Sequence, residues 1–358
     1  MSKLITLLSA LCLLLSAGTS WSGPDDCFTA YNKGKYGEAY KACEPLAVQG
    51  DDKAQLMLGL MYESGNGVPQ NSQESLVWWT RSADQGNYDA LMKMVTYYNN
   101  RNDPQEYKDA AIWYRKAAER GDVMSENALG MLYYNGQGVT QDYGEAVTWF
   151  RKAAEKGMNQ ARFNLGVAYL NGHGVPQDDK QAVEWFRKAA LQKNMKAQAN
   201  LAIMYFKGKG VPKDDKEAAV WYRKAAEQGD ASSQNVLGLL YYKGQGVPQD
   251  FKEAVKWFRK AADQGVHQSQ FIIGVMYSKG QGVPKNNTVA YAICNLVAEK
   301  MPDAPNLRKT LAKDMSKKEV EKAVRLSAEL GKPGSFQTAL DAYILNNPEK
   351  PAAGRSKR

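Results

Sequence analysis

Two apolar patterns of helical period alternate along most of the chain. In Asp142 to Gly157, Ala146, Trp149, Phe150, Ala153 and Ala154 fall at i, i+3, i+4, i+7 and i+8, one apolar stripe on a helix. Asp142 is placed to cap its N-terminus, and Glu145 three residues on completes an acidic form of the capping box. Gly157 stands where a left-handed residue ends a helix, and Arg151 and Lys152 lie where the helix dipole favours cations. This is helix B. The half-unit before it, helix A, places Ser125, Leu129 and Tyr133 at i, i+4 and i+8, again on one face. Ala54, Leu58 and Tyr62, Ala161, Leu165 and Tyr169, and Ser233, Leu237 and Tyr241 repeat it. Gly59, Gly130, Gly166, Gly238 and Gly274 sit inside A helices, where Gly costs roughly 1 kcal/mol against Ala. A cost repeated at one spot predicts close helix–helix approach there. Gly-x-Gly-Val-Pro links stop helix A and start helix B.

The two patterns recur as a unit. Gly210 has counterparts at Gly67, Gly138, Gly174, Gly246 and Gly282, and Trp221 has counterparts at Trp78, Trp113, Trp149, Trp185 and Trp257. From Gly138 onward the step is 36 residues each time. Such a period predicts stacked supersecondary units, an all-α solenoid in which each unit buries the same face against its neighbours. Full units begin near Asp51, Asn87, Asp122, Met158, Asn194, Asp230 and Val266, so that seven helical pairs occupy residues 51–300. The unit at Asn87 is irregular: its link, Asn99 to Pro104, lacks both glycines, and the step from Trp78 to Trp113 is one residue short. That loop is either degenerate or shaped by a partner. In the last unit Ile293 replaces the tryptophan, with Cys294 beside it, and a lone Cys on that helix reads as core.

The running pattern A…LG..Y..G.GV..D...A..W..KAAE.G resembles the Sel-one-like repeat (SLR) family, relatives of the tetratricopeptide arrays, over about Tyr36 to Lys300. The resemblance implies a right-handed superhelix of α/α pairs, and it implies an adaptor that binds other proteins. Some cysteine-rich members are associated with binding or hydrolysis of β-lactam or peptidoglycan-like compounds. They carry a disulfide in each repeat, a pattern this chain lacks, so an enzyme is the alternative and not the expectation. Secretion or surface display for contact with a host molecule is a third reading.

Both ends depart from the repeat. Lys3 precedes the apolar run Leu4 to Leu15, which is short for a membrane span, and small residues follow. Residues 1–22 thus read as a secretory signal peptide cleaved after Ser22, with Gly18 as the rival site, and the mature chain is expected in the periplasm or secreted, not transmembrane. Residues 23–50 read as an N-terminal cap. Asp25 to Asn32 is a shortened helix A, and Tyr36 to Gly50 aligns with helix B through Glu38, Ala39, Leu46, Ala47 and Gly50. Cys27 and Cys43 lie on these adjacent helices, which in an exported chain suggests a disulfide; two buried thiols are the alternative. Residues 301–346 read as C-terminal capping helices, one presenting Val320, Val324, Leu326 and Ala328 and a short one over Phe336 to Leu345. Residues 347–358 read as a disordered basic tail.

Composition narrows the chemistry. The net charge is +9, with Arg-Lys pairs from Arg115–Lys116 to Arg259–Lys260. Glu119, Glu155, Glu227 and Asp263 follow the arginines at i+4, which reads as solvated intrahelical pairing, so nucleic acid is not an expected partner. His173 and His267 stand in different units with no Cys or His cluster at ligand spacing, so no metal is expected. The Gly-x-Gly links lack the strand that a phosphate-binding loop needs, so no cofactor is expected. No Gly-x-Ser-x-Gly nucleophile signature occurs, and no catalytic residue is assigned. The variable places are on helix A beside the core face, at i, i+4 and i+7. They read Asn127, Met131 and Tyr134, then Phe163, Val167 and Leu170, then Ala199, Ile203 and Phe206, then Asn235, Leu239 and Tyr242. By resemblance to tetratricopeptide arrays this stripe lines a concave groove, with Asn127, Tyr134, Phe163, Phe206, Asn235 and Tyr242 as the binding candidates for a protein partner. The alternative is packing between successive A helices. If the leader is removed on export, N-terminal sequencing of the periplasmic protein is expected to read from Gly23; an intact Met1 in the cytoplasm would overturn the compartment argument.

Overall fold

The computed structural model describes residues 24–101 and 106–347, and every regular element in them is helical. The expected leader over 1–22, the expected tail over 347–358 except Asn347, and residues 102–104 of the irregular link lie outside the described residues. The chain forms two compact units that divide between Asp142 and Tyr143. The first holds α1 (Pro24–Asn32), α2 (Tyr36–Val48), α3 (Asp52–Ser64), α4 (Ser72–Asp84), α5 (Tyr88–Arg101), α6 (Tyr107–Glu119) and α7 (Val123–Asn135). The second holds α8 (Tyr143–Glu155), α9 (Asn159–Asn171), α10 (Asp179–Leu191), α11 (Met195–Lys207), α12 (Asp215–Glu227), α13 (Ala231–Lys243), α14 (Phe251–Asp263), α15 (His267–Lys279) and α16 (Asn287–Leu296). It closes with α17 (Ala304–Ala312), α18 (Lys317–Leu330) and α19 (Phe336–Asn346). Odd-numbered helices from α3 to α15 are A helices and even-numbered ones from α2 to α16 are B helices. Within each unit these helices pack mainly on the helix before and the helix after, which is the connectivity of a solenoid.

Local chemistry sets the helix ends. The Asp214 carboxylate accepts from the backbone N–H of Lys216 at 2.9 Å and Glu217 at 3.0 Å, and Asp178 and Asp250 do the same for α10 and α14. The reciprocal glutamate arm expected of a capping box is formed at Ser316 and Glu319 on α18, where both arms are in place. On α10, α12 and α14 one carboxylate satisfies two orphan N–H groups.

Glycine marks where backbones and rings approach. A Cβ at Gly166 would lie 2.7 Å from the Phe186 ring, and one at Gly238 would lie 2.7 Å from Phe258. The Trp79 ring likewise occupies the space beside Gly59. In these three repeats the aromatic residue after the tryptophan packs against the preceding A helix, which explains the internal glycine there; α11 carries Ala202 at the same place. Where Ile293 takes the tryptophan position, the gap beside Gly274 relaxes to 3.3 Å. The second glycine of each link has φ near +70°, as at Gly210 (φ 68) and Gly246 (φ 70), and faces backbone. Gly210 abuts the carbonyl of Asp179, Gly246 that of Asp215, and Gly282 that of Phe251. Each link thus rests on the first turn of the B helix one repeat back.

A polar thread joins repeats on their other side. Gln198 Nε2 donates to the Ala190 carbonyl at 3.0 Å and its Oε1 accepts from Gln228 Nε2 at 2.6 Å. Gln234 repeats this with Ala226 and Gln264, and Gln55 with Ala47 and Gln85. A buried amide that is satisfied on both sides fixes register as well as stabilising the stack.

The ends close differently. Cys27 on α1 and Cys43 on α2 form a disulfide with Cα atoms 5.1 Å apart, inside a cluster with Ala39, Leu58 and Met61. At the other end the buried stripe of α18 is Ala323, Leu326, Ser327 and Leu330. This corrects the expected set: Val324 is 47% exposed, and Ala328 is exposed as well. Leu326 lies on the opposite side of the helix from Val324 and Ala328, and the side it shares with Ala323, Ser327 and Leu330 is the buried one. α19 docks back on α14, where Asp263 Oδ1 accepts from the Gln337 N–H at 3.1 Å and Arg259 pairs with Asp341. Cys294 is fully buried, and burial lifts its thiol to about 12, against a smaller lowering by Arg308, as a core cysteine requires.

Two measurements test this packing. Gly166→Leu is expected to overpack the Phe186 contact and destabilise by about 1–3 kcal/mol in a thermal melt, while Lys180→Ala does little. An unchanged melt for Gly166→Leu would remove the close-approach explanation. Burial lifts the Tyr114 and Tyr222 phenols from about 10 to about 12. Their folded pKa is raised, so the stabilisation is present below about pH 10 and is lost as pH rises to about 12. Spectrophotometric titration of the folded protein should show a late-ionising tyrosine class that Tyr114→Phe and Tyr222→Phe each reduce by one, leaving Tyr40 and Tyr343, whose phenols are also raised.

Candidate docking face

The periodic basic pair has a packing role. Lys188 Nζ lies 4.0 Å from the Trp185 ring centroid, Lys224 4.0 Å from Trp221 and Lys260 4.3 Å from Trp257. The arginine beside each lysine reaches to the tyrosine of the next A helix. Arg151 Nη2 donates to the Tyr169 hydroxyl at 3.0 Å and Arg187 Nη2 to that of Tyr205 at 2.9 Å. Arg115 and Tyr133, and Arg223 and Tyr241, pair in the same way. The tyrosine partner replaces the intrahelical i+4 partner expected from the sequence. The basic stripe is thereby engaged in holding repeats together. On α14 the equivalent arginine, Arg259, pairs with Asp341 of the capping helix.

Most of the predicted aromatic row of the B helices is core: Trp113, Trp149, Trp221 and Trp257 are buried, whereas Trp78 and Trp185 are half-buried. The variable stripe of the A helices lies at the edge of that core. In the second unit Phe163, Val167, Leu170, Ile203, Phe206, Leu239 and Tyr242 are half-buried, packed against the core with one side open. Phe163 leans on Phe186 with ring centroids 5.9 Å apart, and Phe206 has Lys213 Nζ 5.8 Å from its ring centre. Tyr242 donates from its hydroxyl to Gln281 Oε1 at 3.1 Å and meets Phe251 edge-on at 5.4 Å. Asn235 is buried between α13 and α15, donating to Gln268 Oε1 at 2.9 Å and accepting from Ser269 at 2.8 Å. Asn127 and Tyr134 lie half-buried on α7 in the first unit. Asn235 is therefore committed to stacking, whereas the aromatic members keep an open side.

A second concavity escaped the sequence reading. In the first unit α5, α6 and α7 enclose a cleft of about 240 Å³ beside the irregular link, lined by Tyr98, Tyr107, Tyr114, Met131 and Gln137 among others. The signal available for it was the loss of both link glycines together with a local run of tyrosines. Among the described residues no cluster of His, Cys, Asp and Glu could hold a metal ion, and no helix is long and apolar enough to cross a membrane. His173 stacks on Tyr143 with centroids 4.4 Å apart, and His267 Nδ1 lies 3.1 Å from Gln270 Oε1, so the two histidines serve separate local contacts.

Comparison with curated proteins yields no match. Among solved structures the chain is similar to a Sel1 repeat protein from Oxalobacter formigenes, at 31% identity and a TM-score of 0.66 over 80% of this chain and 87% of that one. It is also similar to c5321, described as a protective antigen of uropathogenic Escherichia coli strains displaying an SLR fold. That match has 28% identity and a TM-score of 0.55 over 92% of this chain and 80% of that one. The Sel1 repeat profile matches residues 52–87, 100–122, 123–158, 159–194, 196–230, 231–266 and 267–294. Its second match begins within the irregular repeat, where α5 departs from the pattern. With the profile covering more than half of its length, the chain belongs to the Sel1 repeat family of helical scaffold proteins.

Proposed function

We propose that this chain is an exported scaffold that docks a protein partner along the A-helix face of its second unit. Protein interaction is the general role of the family. The observation that carries the reading is the half-open row of Phe163, Phe206 and Tyr242, which sits on a repeated frame yet differs from repeat to repeat. A packing role alone would select the same residue at each step, as it does for the tryptophans. Aromatic side chains that are rigid, half-buried and open on one side are common interface anchors. Export is supported by the apolar run behind Lys3 and by the Cys27–Cys43 bond, since such bonds persist in oxidising compartments. Similarity to a protein described as a protective antigen favours a second reading, in which the partner is a host molecule.

Affinity capture from periplasm with mass spectrometry supplies partner candidates, and titration calorimetry on folded variants then tests the face. Phe163→Ala, Phe206→Ala and Tyr242→Ala are each expected to weaken the partner by at least about 1 kcal/mol. Trp257→Ala should instead lower stability by roughly 3–5 kcal/mol and affect binding only through folding. Full affinity with all three aromatics removed would move the site elsewhere, with the tyrosine-lined cleft of the first unit as the next candidate.

A further inference from the structure

The A helices of the second unit differ from its B helices in one respect that packing does not demand. α9, α11, α13 and α15 are each 13 residues long, and none contains an Asp or Glu. The whole chain has 38 acidic residues in 358. The B helices interleaved with them carry acids throughout, Glu145, Glu184, Glu217 and Glu253 among them. At the N-termini of the four A helices the caps are Met158, Asn194, Asp230 and Val266, and the Asp230 carboxylate is committed to the Ser233 N–H at 2.6 Å.

The same helices carry exposed lysines in register. Lys207, Lys243 and Lys279 end α11, α13 and α15, and Lys196 lies in the first turn of α11. A lysine at a helix C-terminus is favoured by the dipole, so position alone points to no ligand. The dipole, however, gives no reason to clear acids from all four helices, least of all from their N-terminal turns, where acids are favoured. Beside the lysines runs the half-exposed apolar row of Val167, Ile203, Leu239 and Val275. Free ammonium groups, an absence of acids and a continuous apolar row together form a face complementary to a segment that is both acidic and apolar.

We propose that the A-helix face of the second unit takes an acidic, apolar-bearing segment of a partner protein, its carboxylates on Lys207, Lys243 and Lys279 and its apolar side chains on Val167, Ile203, Leu239 and Val275. This rests on the docking reading above and adds the chemistry of the occupant. A nucleic acid would satisfy the lysines and leave the apolar row uncovered; a neutral apolar segment would do the reverse. Opposite charge speeds encounter and excludes basic competitors, while apolar burial supplies holding strength.

The test pans a random displayed-peptide library on the full chain, then measures the enriched peptides as synthetic probes, with a DNA duplex in parallel. Enriched peptides are expected to be net acidic with interspersed apolar residues. Their affinity should fall about tenfold between low and high salt, as screening weakens exposed charge pairs. It should fall by at least about tenfold in Lys207→Glu/Lys243→Glu/Lys279→Glu, with the helical circular dichroism and melt retained. The triple change Lys180→Glu/Lys216→Glu/Lys252→Glu has the same period and net charge but lies on B helices, and should leave the peptides bound. Enrichment of neutral or basic peptides on this face would overturn the acidic assignment while leaving the docking reading intact. Acidic peptides indifferent to the A-helix triple change would overturn the placement. Duplex binding of equal strength through the same lysines would reassign the face to nucleic acid. A library that enriches nothing would count against the docking reading itself.

Discussion

The constraint on which this structure depends is the contact between each A–B link and the backbone of the repeat before it. A Cβ at Gly210 or Gly246 would collide with the Asp179 or Asp215 carbonyl, so the link can approach only as glycine with positive φ. A backbone-to-backbone contact has no side chain that could repack to absorb an error. It therefore sets the spacing of repeats, and everything else is fitted at that spacing. Trp79, Phe186 and Phe258, each following a tryptophan, reach the glycine of the preceding A helix. The glutamine pair meets the alanine carbonyl, and the arginine meets the tyrosine. In a chain whose units contact only their neighbours, such repeated fits make the stack cooperative.

That view changes the meaning of the charge. A net +9 with a basic pair in nearly every repeat invites a polyanion as partner. Most of the pair is engaged internally, the lysine over the indole and the arginine on the tyrosine hydroxyl. The charge still contributes to the long-range field. Outside the pair, Lys207, Lys243 and Lys279 stand at the ends of the A helices, on the surface that also varies in its aromatics.

The repeat and its glycines were legible in the sequence because the same residues return in most units. A link glycine needed six times over stands out even in one chain. The disulfide was legible for a different reason: an N-terminal pair out of the repeat register must be argued from the two helices it joins, and the helices lie where the spacing of Ala39 and Ala47 puts them. The arginine–tyrosine bond was not legible. Its partners are 18 residues apart, half a repeat, and the nearer glutamate at i+4 offered a sufficient local explanation. The C-terminal helix was placed correctly but its face was misread, because Val324 is apolar and Ser327 polar while only the serine is buried. The cleft beside the irregular link lay outside any periodic argument, since it forms where the period fails.

The capping arrangement shows why the open face is the A face. At the C-terminal end α18 covers α16 and α19 turns back on α14, both of them B helices. α19 takes Arg259 through Asp341, the arginine that in earlier repeats serves the next A-helix tyrosine. The capping helices thus stand in for the missing repeat on the B side, where the aromatic core would otherwise meet water. On the A side the rows of Phe163, Phe206 and Tyr242 need no such cover, since each already rests one edge on the core and leaves the other free. A solenoid whose B side is fixed by Trp, Ala and Gly and whose A side is not so fixed can vary the second without disturbing the first. That separation lets a stack of near-identical repeats present a surface that is not itself repetitive.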